Sequence, residues 1–178
     1  MMDPKDHLTL LEEKERYDQH NNDVNDPGYQ EFVRPLVDAV VSAYRPHAAG
    51  LDYGAGSGPV AAHLLERQGY RINLYDPFYW PDLEALSRKY EYIIASEVIE
   101  HFRSPFGEFA MLRSLLLPGG AIFCMTELMS DEEKFADWYY KNDPTHVFFY
   151  HHKSLEWIRA EFGFVKLDIS GRLVIFQL

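Results

Sequence analysis

The residues best suited to chemistry are three glycines at alternating positions. Gly54, Gly56 and Gly58 stand in the run LDYGAGSG, which covers residues 51–58. A short apolar strand pattern precedes the run, and an apolar helical pattern begins after it. Glycines let the backbone turn tightly and approach a ligand without a Cβ clash, and the start of the following helix offers unpaired N–H groups. The pattern therefore predicts a loop that binds a polar or anionic ligand group.

A carboxylate ends the next predicted strand, as a nucleoside site requires. This strand covers residues 71–76, and Asp76 would lie at the same sheet edge as the glycine loop. A carboxylate there can accept hydrogen bonds from both ribose hydroxyls, and its alternative role is that of a turn residue before Pro77. The spacing G-x-G-x-G differs from the G-x-G-x-x-G of dinucleotide-binding folds. An NAD-dependent dehydrogenase is therefore only a remote alternative.

Strand and helix patterns alternate from Gly50 onward and predict how these residues are positioned. Continuous apolar runs such as residues 92–95 are typical of strands that are covered on both faces. The last two strands meet at Ser170 and Gly171, as in a hairpin. This order predicts an open α/β sandwich with a mostly parallel sheet and a C-terminal antiparallel strand.

Length and composition suit one domain with an acidic surface. The chain has 178 residues, with 17 Lys and Arg against 28 Asp and Glu, and a formal net charge of −11. Because there is no basic run, this balance disfavours a nucleic-acid surface and an anionic membrane surface. We expect residues 1–46 to form a helical cap or lid on a core formed by residues 47–178.

The sequence also gives an expectation for the cellular location of the protein. The polar N-terminus has no apolar core of a signal peptide, and no apolar stretch is long enough to span a bilayer. The chain has one cysteine, Cys124, which cannot form an intrachain disulfide. We therefore expect a cytoplasmic protein.

Four ordered motifs resemble those of class I S-adenosylmethionine-dependent methyltransferases. The first is Asp52 with the glycine loop that follows it, and the second is EVIEH at residues 97–101. The third is LLLPGG at residues 115–120, and the fourth is DPTHVFFY at residues 143–150. The Thr-His loop of the fourth motif is similar to that of small-molecule, ubiquinone-type O-methyltransferases. The resemblance implies a Rossmann-like three-layer α/β sandwich with a sheet of seven strands.

A short connection makes six strands an alternative to seven. Residues 78–89 stand where relatives have a third strand that ends near the adenine, so this strand must be short or absent. Phe78, Tyr79 and Trp80 could cover the adenine face or pack against the sheet edge. The resemblance therefore leaves the adenine contacts open.

The resemblance implies that the cofactor is S-adenosylmethionine, which is released as S-adenosylhomocysteine. The first motif would hold the methionine part, the carboxylate after the second strand the ribose, and backbone groups after the fourth strand the sulfonium and adenosine. The residues expected to bind the cofactor are Asp52, Gly54, Ala55, Gly56, Gly58, Asp76, Pro77, Ser96, Glu97 and Val98.

A few polar residues could act on a methyl acceptor. His146 lies in the loop after the fifth expected strand, where it could accept a proton as a general base or orient the acceptor. Related enzymes close an N-terminal segment over the pocket, which makes Tyr17, His20 and Asn21 candidates for the substrate pocket. Helix capping and turn formation are the alternative role of these residues. His101 is a further candidate for the pocket wall.

No metal site is predicted, because His146, His151 and His152 with Asp143 have a spacing that fits no standard ligand pattern. The leading interpretation is in-line methyl transfer to an oxygen or nitrogen of a small-molecule acceptor, with no nucleic-acid or membrane partner. The alternatives are a non-catalytic S-adenosylmethionine-binding or regulatory protein and a methyltransferase that acts on protein or nucleic acid. The sequence indicates neither the acceptor nor the oligomeric state.

Overall fold

One sheet organises the chain. A computed structural model describes residues 1–19, 22–129 and 132–178. The strands are β1 (Ala49–Tyr53), β2 (Arg71–Tyr75), β3 (Tyr90–Ser96), β4 (Leu116–Met125), β5 (Lys166–Ser170) and β6 (Leu173–Gln177). They lie side by side in the order β2-β1-β3-β4-β6-β5. The first four are parallel, and β6 is antiparallel to both β4 and β5. This confirms the mostly parallel α/β sheet with a C-terminal antiparallel hairpin.

The sheet has six strands in the described residues, so the smaller of the two expected numbers is correct. Between β2 and β3, Asp76 and Trp80 form an isolated antiparallel bridge, and a 3₁₀ turn follows at Ala85–Ser87. The Tyr90 hydroxyl donates to the Ala85 carbonyl at 2.7 Å and fixes this connection to the sheet. A parallel crossover needs about a dozen or more residues, so this connection has no room for a further strand with its own crossover.

The described residues also form five helices, and those that pack on the two faces of the sheet complete the three layers. They are α1 (Leu10–Tyr17), α2 (Pro27–Ala43), α3 (Val60–Glu66), α4 (Pro105–Leu115) and α5 (His152–Glu161). In β3, Tyr92 and Ile94 pack into the core with α2 and α3, whereas Ile93 and Ala95 pack into the core with α4 and α5. All four side chains are fully buried, as expected for a central parallel strand. No helix in the described part of the chain is long and apolar enough to cross a bilayer.

The segment that the sequence assigns to a helical cap, residues 1–46, has two structural parts. Helix α2 begins after Asp26, whose Oδ1 accepts a hydrogen bond from the Gly28 N–H at 2.8 Å. It buries its apolar face in the same core as α3 and the sheet, so it belongs to one of the three layers. Helix α1 instead lies beside a cavity at the sheet edge. The division into one domain with a cap over a core stays a prediction.

Candidate functional site

A cavity of about 990 Å³ lies at the carboxyl edge of the parallel strands. Its walls come from the loops that follow β1, β2 and β3, from α1, and from residues 139–146 and Arg172. Parallel strands end at a common edge, so the loops that follow them meet there. The cavity volume is within the range of small-molecule sites.

Backbone geometry explains the alternating glycines at one end of this cavity. Gly54 and Gly56 have φ values of 77° and 63°, a left-handed conformation that L side chains rarely adopt. Gly58 is needed for a different reason, since a Cβ there would lie 1.6 Å from the carbonyl oxygen of Asn22. The N–H of Gly54 also donates to the Tyr75 carbonyl at 2.8 Å, which ties the loop to β2. The loop therefore lies against β2 on one side and against residue 22 on the other.

Asp76 is fixed beside the glycine loop. Its Oδ2 accepts a hydrogen bond from the Gly56 N–H at 3.1 Å, and its Oδ1 accepts from the N–H groups of Phe78 and Tyr79 at 2.8 and 3.0 Å. The residue is only 7% exposed, yet it lines the cavity. Both sequence interpretations are therefore compatible with the geometry, because Asp76 shapes the turn and also presents a carboxylate to a ligand.

Asp52 adds a second acidic group to the same end. It is 4% exposed, and burial, together with the negative charge of Asp76, raises the pKa of its carboxyl to about 7. Ionising two nearby carboxylates is unfavourable unless a positive charge lies close to them. This end of the cavity is consequently suited to a cationic ligand group.

The segment after β3 carries backbone strain. Glu97 has a φ of 54°, a left-handed value that costs about 1–3 kcal/mol for a residue with a side chain. Its N–H donates to the Met125 carbonyl at 2.8 Å, and its carboxylate forms an ion pair with Arg172. Ser96 precedes it, and the buried Ser96 Oγ has no hydrogen-bond partner within the described residues. Such strain is found where the backbone is shaped for a ligand.

Two imidazoles form the wall at the other end of the cavity. The rings of His101 and His146 lie 4.9 Å apart between centroids. The Nδ1–H of His101 donates to the Thr145 carbonyl at 2.9 Å, and the Nδ1–H of His146 donates to the Tyr140 carbonyl at 2.7 Å. A carbonyl only accepts, so Nδ1 holds the proton and Nε2 has a free lone pair. Burial lowers the pKa of both imidazoles and favours this neutral form.

A buried carboxyl group, Glu100, lies behind the imidazoles. It is fully buried, and burial raises its pKa to about 7. The Tyr140 hydroxyl donates to Oε1 of Glu100 and lies 3.0 Å from Oε2 of Glu97. Sequence reasoning missed Glu100, although it stands next to His101 in the EVIEH motif, and it considered Tyr140 only as an aromatic residue of the core or of an apolar pocket wall. Arg172, which pairs with Glu97 and Glu127, was also missed.

Helix α1 lines the cavity and is held by two ion pairs. Glu13 pairs with Arg103, and Arg16 pairs with Asp143, with 2.7 Å between the charged atoms in each case. The first pair joins α1 to the segment after β3, and the second joins it to the loop that contains His146. We refer to residues 10–19 together with residue 22 as the α1 cover.

Aromatic side chains pack beneath the α1 cover. The ring of Tyr17 contacts His101 edge-on, with centroids 5.4 Å apart, and lies 5.9 Å from the ring of Phe78. The Tyr79 hydroxyl donates to Asp18 at 2.6 Å. Phe78 and Tyr79 line the cavity, whereas Trp80 is 40% exposed and donates its Nε1–H to the Gly56 carbonyl. Two of the three aromatic residues proposed for the adenine thus face the cavity.

The cavity brings together every sequence-predicted site residue that the structure describes. His20 and Asn21 lie outside the described residues. The predicted residues that line the cavity are Tyr17, Asp52, Gly54, Ala55, Gly56, Gly58, Asp76, Pro77, Ser96, Glu97, Val98, His101 and His146.

The chain matches a known protein family and the fold of solved structures. A family model described as a methyltransferase domain matches residues 28–169. No curated protein matches the sequence. Among solved structures, one similar protein is an O-methyltransferase family protein from Burkholderia thailandensis, with 15% sequence identity and a TM-score of 0.59. That match covers 83% of this chain and 56% of the other, so this chain spans little more than half of that protein's length.

Two further structures have the same fold over most of their length. The 1,6-didemethyltoxoflavin-N1-methyltransferase of Burkholderia thailandensis, with bound S-adenosylhomocysteine, is 17% identical, with a TM-score of 0.60 and coverage of 82% of this chain and 77% of the other. The magnesium protoporphyrin IX methyltransferase of Synechocystis PCC 6803, with bound S-adenosylmethionine, is 16% identical, with a TM-score of 0.62 and coverage of 93% and 89%. At these identities the likeness establishes the fold alone.

Proposed function

Because the chain belongs to the methyltransferase domain family, we propose that it transfers the methyl group of S-adenosylmethionine to an oxygen or nitrogen of a small-molecule acceptor. The observation that carries this proposal is the shared cavity. The glycine loop with Asp76 forms one end of it, and the unprotonated imidazole nitrogens belong to the other. A methyl donor and an acceptor could therefore meet in one cavity.

The charge of the first end supports a cationic cofactor. S-adenosylmethionine carries a sulfonium and an ammonium group, and Asp52 and Asp76 supply negative charge beside the glycine loop. Burial and the charge of Asp76 raise the pKa of Asp52 to about 7, so a nearby cation would stabilise its ionised form. The carboxylate of Asp76 has oxygens at the cavity wall that suit ribose hydroxyls. A structural neighbour with bound S-adenosylmethionine agrees with this assignment.

The reaction we propose is an in-line displacement. A lone pair of the acceptor bonds to the methyl carbon while the C–S bond breaks, its electron pair stays on sulfur, and the acceptor loses its proton. The sulfonium is already activated, so the protein mainly positions the reactants and excludes water. The α1 cover would help to exclude water. His146 would accept a hydrogen bond or the proton from the acceptor through Nε2, with His101 beside it.

The position of the α1 cover favours a small acceptor. The α1 cover lines the cavity and is held by two ion pairs, whereas a protein or nucleic-acid acceptor needs an open docking surface. Structural neighbours that act on 1,6-didemethyltoxoflavin and on magnesium protoporphyrin IX agree with a small acceptor. A non-catalytic role predicts cofactor binding without turnover, so a turnover assay separates that role from ours.

Calorimetric titration with S-adenosylmethionine, S-adenosylhomocysteine and NAD tests the cofactor. We expect both sulfur nucleosides to bind and NAD to give no heat of binding. Asp76→Ala should weaken binding about tenfold or more, because it removes a charged hydrogen-bond acceptor. Asp82→Ala is the matched control, since the exposed Asp82 accepts a main-chain hydrogen bond in the same connection. NAD binding without sulfur-nucleoside binding would contradict the proposal.

A screen for the acceptor tests turnover. The protein would be incubated with S-adenosylmethionine carrying an isotopically labelled methyl group and with panels of phenols, carboxylic acids and amines. Mass spectrometry would then identify any labelled product. A protein that binds the cofactor but labels no member of these panels would favour the non-catalytic alternative.

A further inference from the structure

Three side chains that can bind metal ions meet at the wall formed by the imidazoles. One ligand atom from each of Glu100, His101 and His146 lies within 4.8 Å of the other two. Bonds of about 2.0–2.2 Å to a divalent ion would place ligand atoms about 3–4.4 Å apart. The cluster is therefore close to ligand spacing and needs only a small inward movement of its side chains.

The hydrogen bonds of the two imidazoles leave their Nε2 atoms available to bind a metal ion. Each Nδ1–H is held by a main-chain carbonyl, that of Thr145 for His101 and that of Tyr140 for His146. Neither Nε2 has a hydrogen-bond partner within residues 1–19, 22–129 and 132–178. Metal-binding histidines usually have their second nitrogen fixed in this way, which sets both the tautomer and the ring orientation.

The Glu100 carboxyl is a second, independent observation. Its Oε1 accepts a hydrogen bond from Tyr140, but its Oε2 is buried and has no partner in the described part of the chain. A buried carboxyl oxygen without a partner is costly, and native structures rarely leave one. A cation at the centre of the cluster would satisfy this oxygen and neutralise the ionised carboxylate.

We propose that Glu100, His101 and His146 bind one divalent first-row transition metal ion, such as Zn²⁺, Mn²⁺ or Co²⁺. Two imidazole nitrogens with one carboxylate suit these ions, whereas Mg²⁺ and Ca²⁺ prefer oxygen ligands. Three protein ligands leave coordination positions open, and His101 and His146 border the cavity. The sequence-based expectation of no metal considered His146 only together with Asp143, His151 and His152. The proposal replaces it, because the fold places His146 beside the EVIEH motif instead.

An ion at this place also narrows the class of acceptor, a step that rests on the proposed function. An open position toward the cavity suits an acceptor with a hydroxyl group, because coordination lowers the pKa of a bound hydroxyl. The ion would then replace the role proposed above for the Nε2 lone pair of His146, and the coordinated hydroxyl would release its proton to water before it attacks the methyl carbon.

Titration of chelator-treated protein with Co²⁺ tests the site without any methyl acceptor. We expect one equivalent to bind with the visible absorption of Co²⁺ bound to nitrogen and oxygen ligands, and we expect Zn²⁺ to displace it. His101→Ala and His146→Ala should each weaken Co²⁺ binding by about tenfold or more. His152→Ala removes an exposed imidazole at the start of α5 and should leave the affinity unchanged.

Equal Co²⁺ affinity in the parent and in both alanine variants would overturn the proposal, and so would a parent protein that binds no stoichiometric Co²⁺. If circular dichroism shows that an alanine variant is unfolded, the Co²⁺ titration and the EPR spectrum of the parent protein test the metal site without that variant. Pulsed EPR of the Cu²⁺-loaded parent should show coupling to two imidazole nitrogens, and coupling to fewer would reject the site. Calorimetry with S-adenosylhomocysteine on the same samples separates the metal site from the proposed function. If the protein binds S-adenosylhomocysteine but no Co²⁺, only the metal site is contradicted.

Discussion

The two ends of the cavity are built from different parts of the chain. The cofactor end consists mainly of main chain, where Gly54, Gly56 and Gly58 allow the loop to lie against β2 and against Asn22. The acceptor end consists of side chains from distant segments. Tyr140 there lies between Glu97 and Glu100, and His146 packs against the Tyr140 ring with centroids 4.1 Å apart.

This difference indicates how each end can change. A loop that is shaped by its main chain fails when a Cβ is added, but it does not depend on the chemistry of its side chains. A wall made of side chains can change its chemistry one residue at a time while the fold persists. The cofactor end should therefore respond to steric changes, and the acceptor end to changes in proton and metal chemistry.

The largest effect should come from the acceptor end. His146→Ala removes the Nε2 lone pair, which the proton loss of the acceptor needs either directly or through the proposed ion, so we expect kcat to fall about 10²–10⁴-fold, the usual contribution of a group that assists proton transfer. The affinity for S-adenosylhomocysteine should change less than about twofold, since the imidazole lies away from the glycine loop. Methyl transfer with an acceptor from the screen and calorimetry would measure the two quantities, with His152→Ala as control. A joint loss of turnover and affinity would show that the two ends are not independent.

A steric change at the cofactor end should have the next largest effect. Gly58→Ala places a Cβ against the Asn22 carbonyl, and such overpacking costs about 1–3 kcal/mol, or roughly 5–150-fold in affinity. Calorimetry with S-adenosylhomocysteine checks this value. In the control Gly107→Ala, the new Cβ meets only the Ser104 side chain at 3.2 Å, and binding should be unchanged. A tolerated alanine at position 58 would mean that residue 22 does not need to approach the loop.

Titration of Asp52 should have a smaller effect. The pKa of its carboxyl is about 7, so the carboxylate is mostly protonated at pH 6 and mostly ionised at pH 7.5. Because the ionised form attracts a cationic ligand, the affinity for S-adenosylmethionine should rise with pH over this range, by up to about tenfold. Calorimetry at several pH values checks the slope. Asp52→Asn should remove this dependence, and a slope that persists in this variant would assign it to another group.

The smallest effect should come from the α1 cover. Arg103→Ala breaks the ion pair with Glu13, in which the arginine side chain is 40% exposed. Such pairs contribute about 0.2–1 kcal/mol, so S-adenosylhomocysteine should dissociate at most about fivefold faster in stopped-flow measurements. Arg34→Ala breaks an exposed ion pair on α2 and should leave the rate unchanged. An unchanged rate in Arg103→Ala as well would mean that this pair does not hold the cover.

The cofactor end could be predicted from the sequence because its shape is set locally. Alternating glycines after a strand require left-handed turns and close packing, and Asp76 has its position because it ends the neighbouring parallel strand. The structure accordingly brings all of the predicted loop residues to one cavity. Their roles in binding a cofactor stay predictions until the titrations are made.

The acceptor end depends on contacts that no local pattern encodes. Arg172 reaches Glu97 only because β6 inserts between β4 and β5, and sequence periodicity does not specify that insertion. In the described residues, 3₁₀ turns at Glu132–Asp137 and Tyr139–Asn142 form part of the segment between β4 and α5. The second turn directs Tyr140 toward Glu100. Because the sequence does not encode this contact, Tyr140 resembles an ordinary core aromatic residue there.

The α1 cover has a consequence for the timing of a catalytic cycle. It meets the glycine loop at residue 22 and the imidazole wall at Tyr17, so one continuous stretch of chain borders both ends of the cavity. Under the proposed function, entry of the donor and the acceptor and exit of both products would use the same opening event. The two products should then leave with a common rate, and turnover should be limited by opening of the cover and slowed by solvent viscosity.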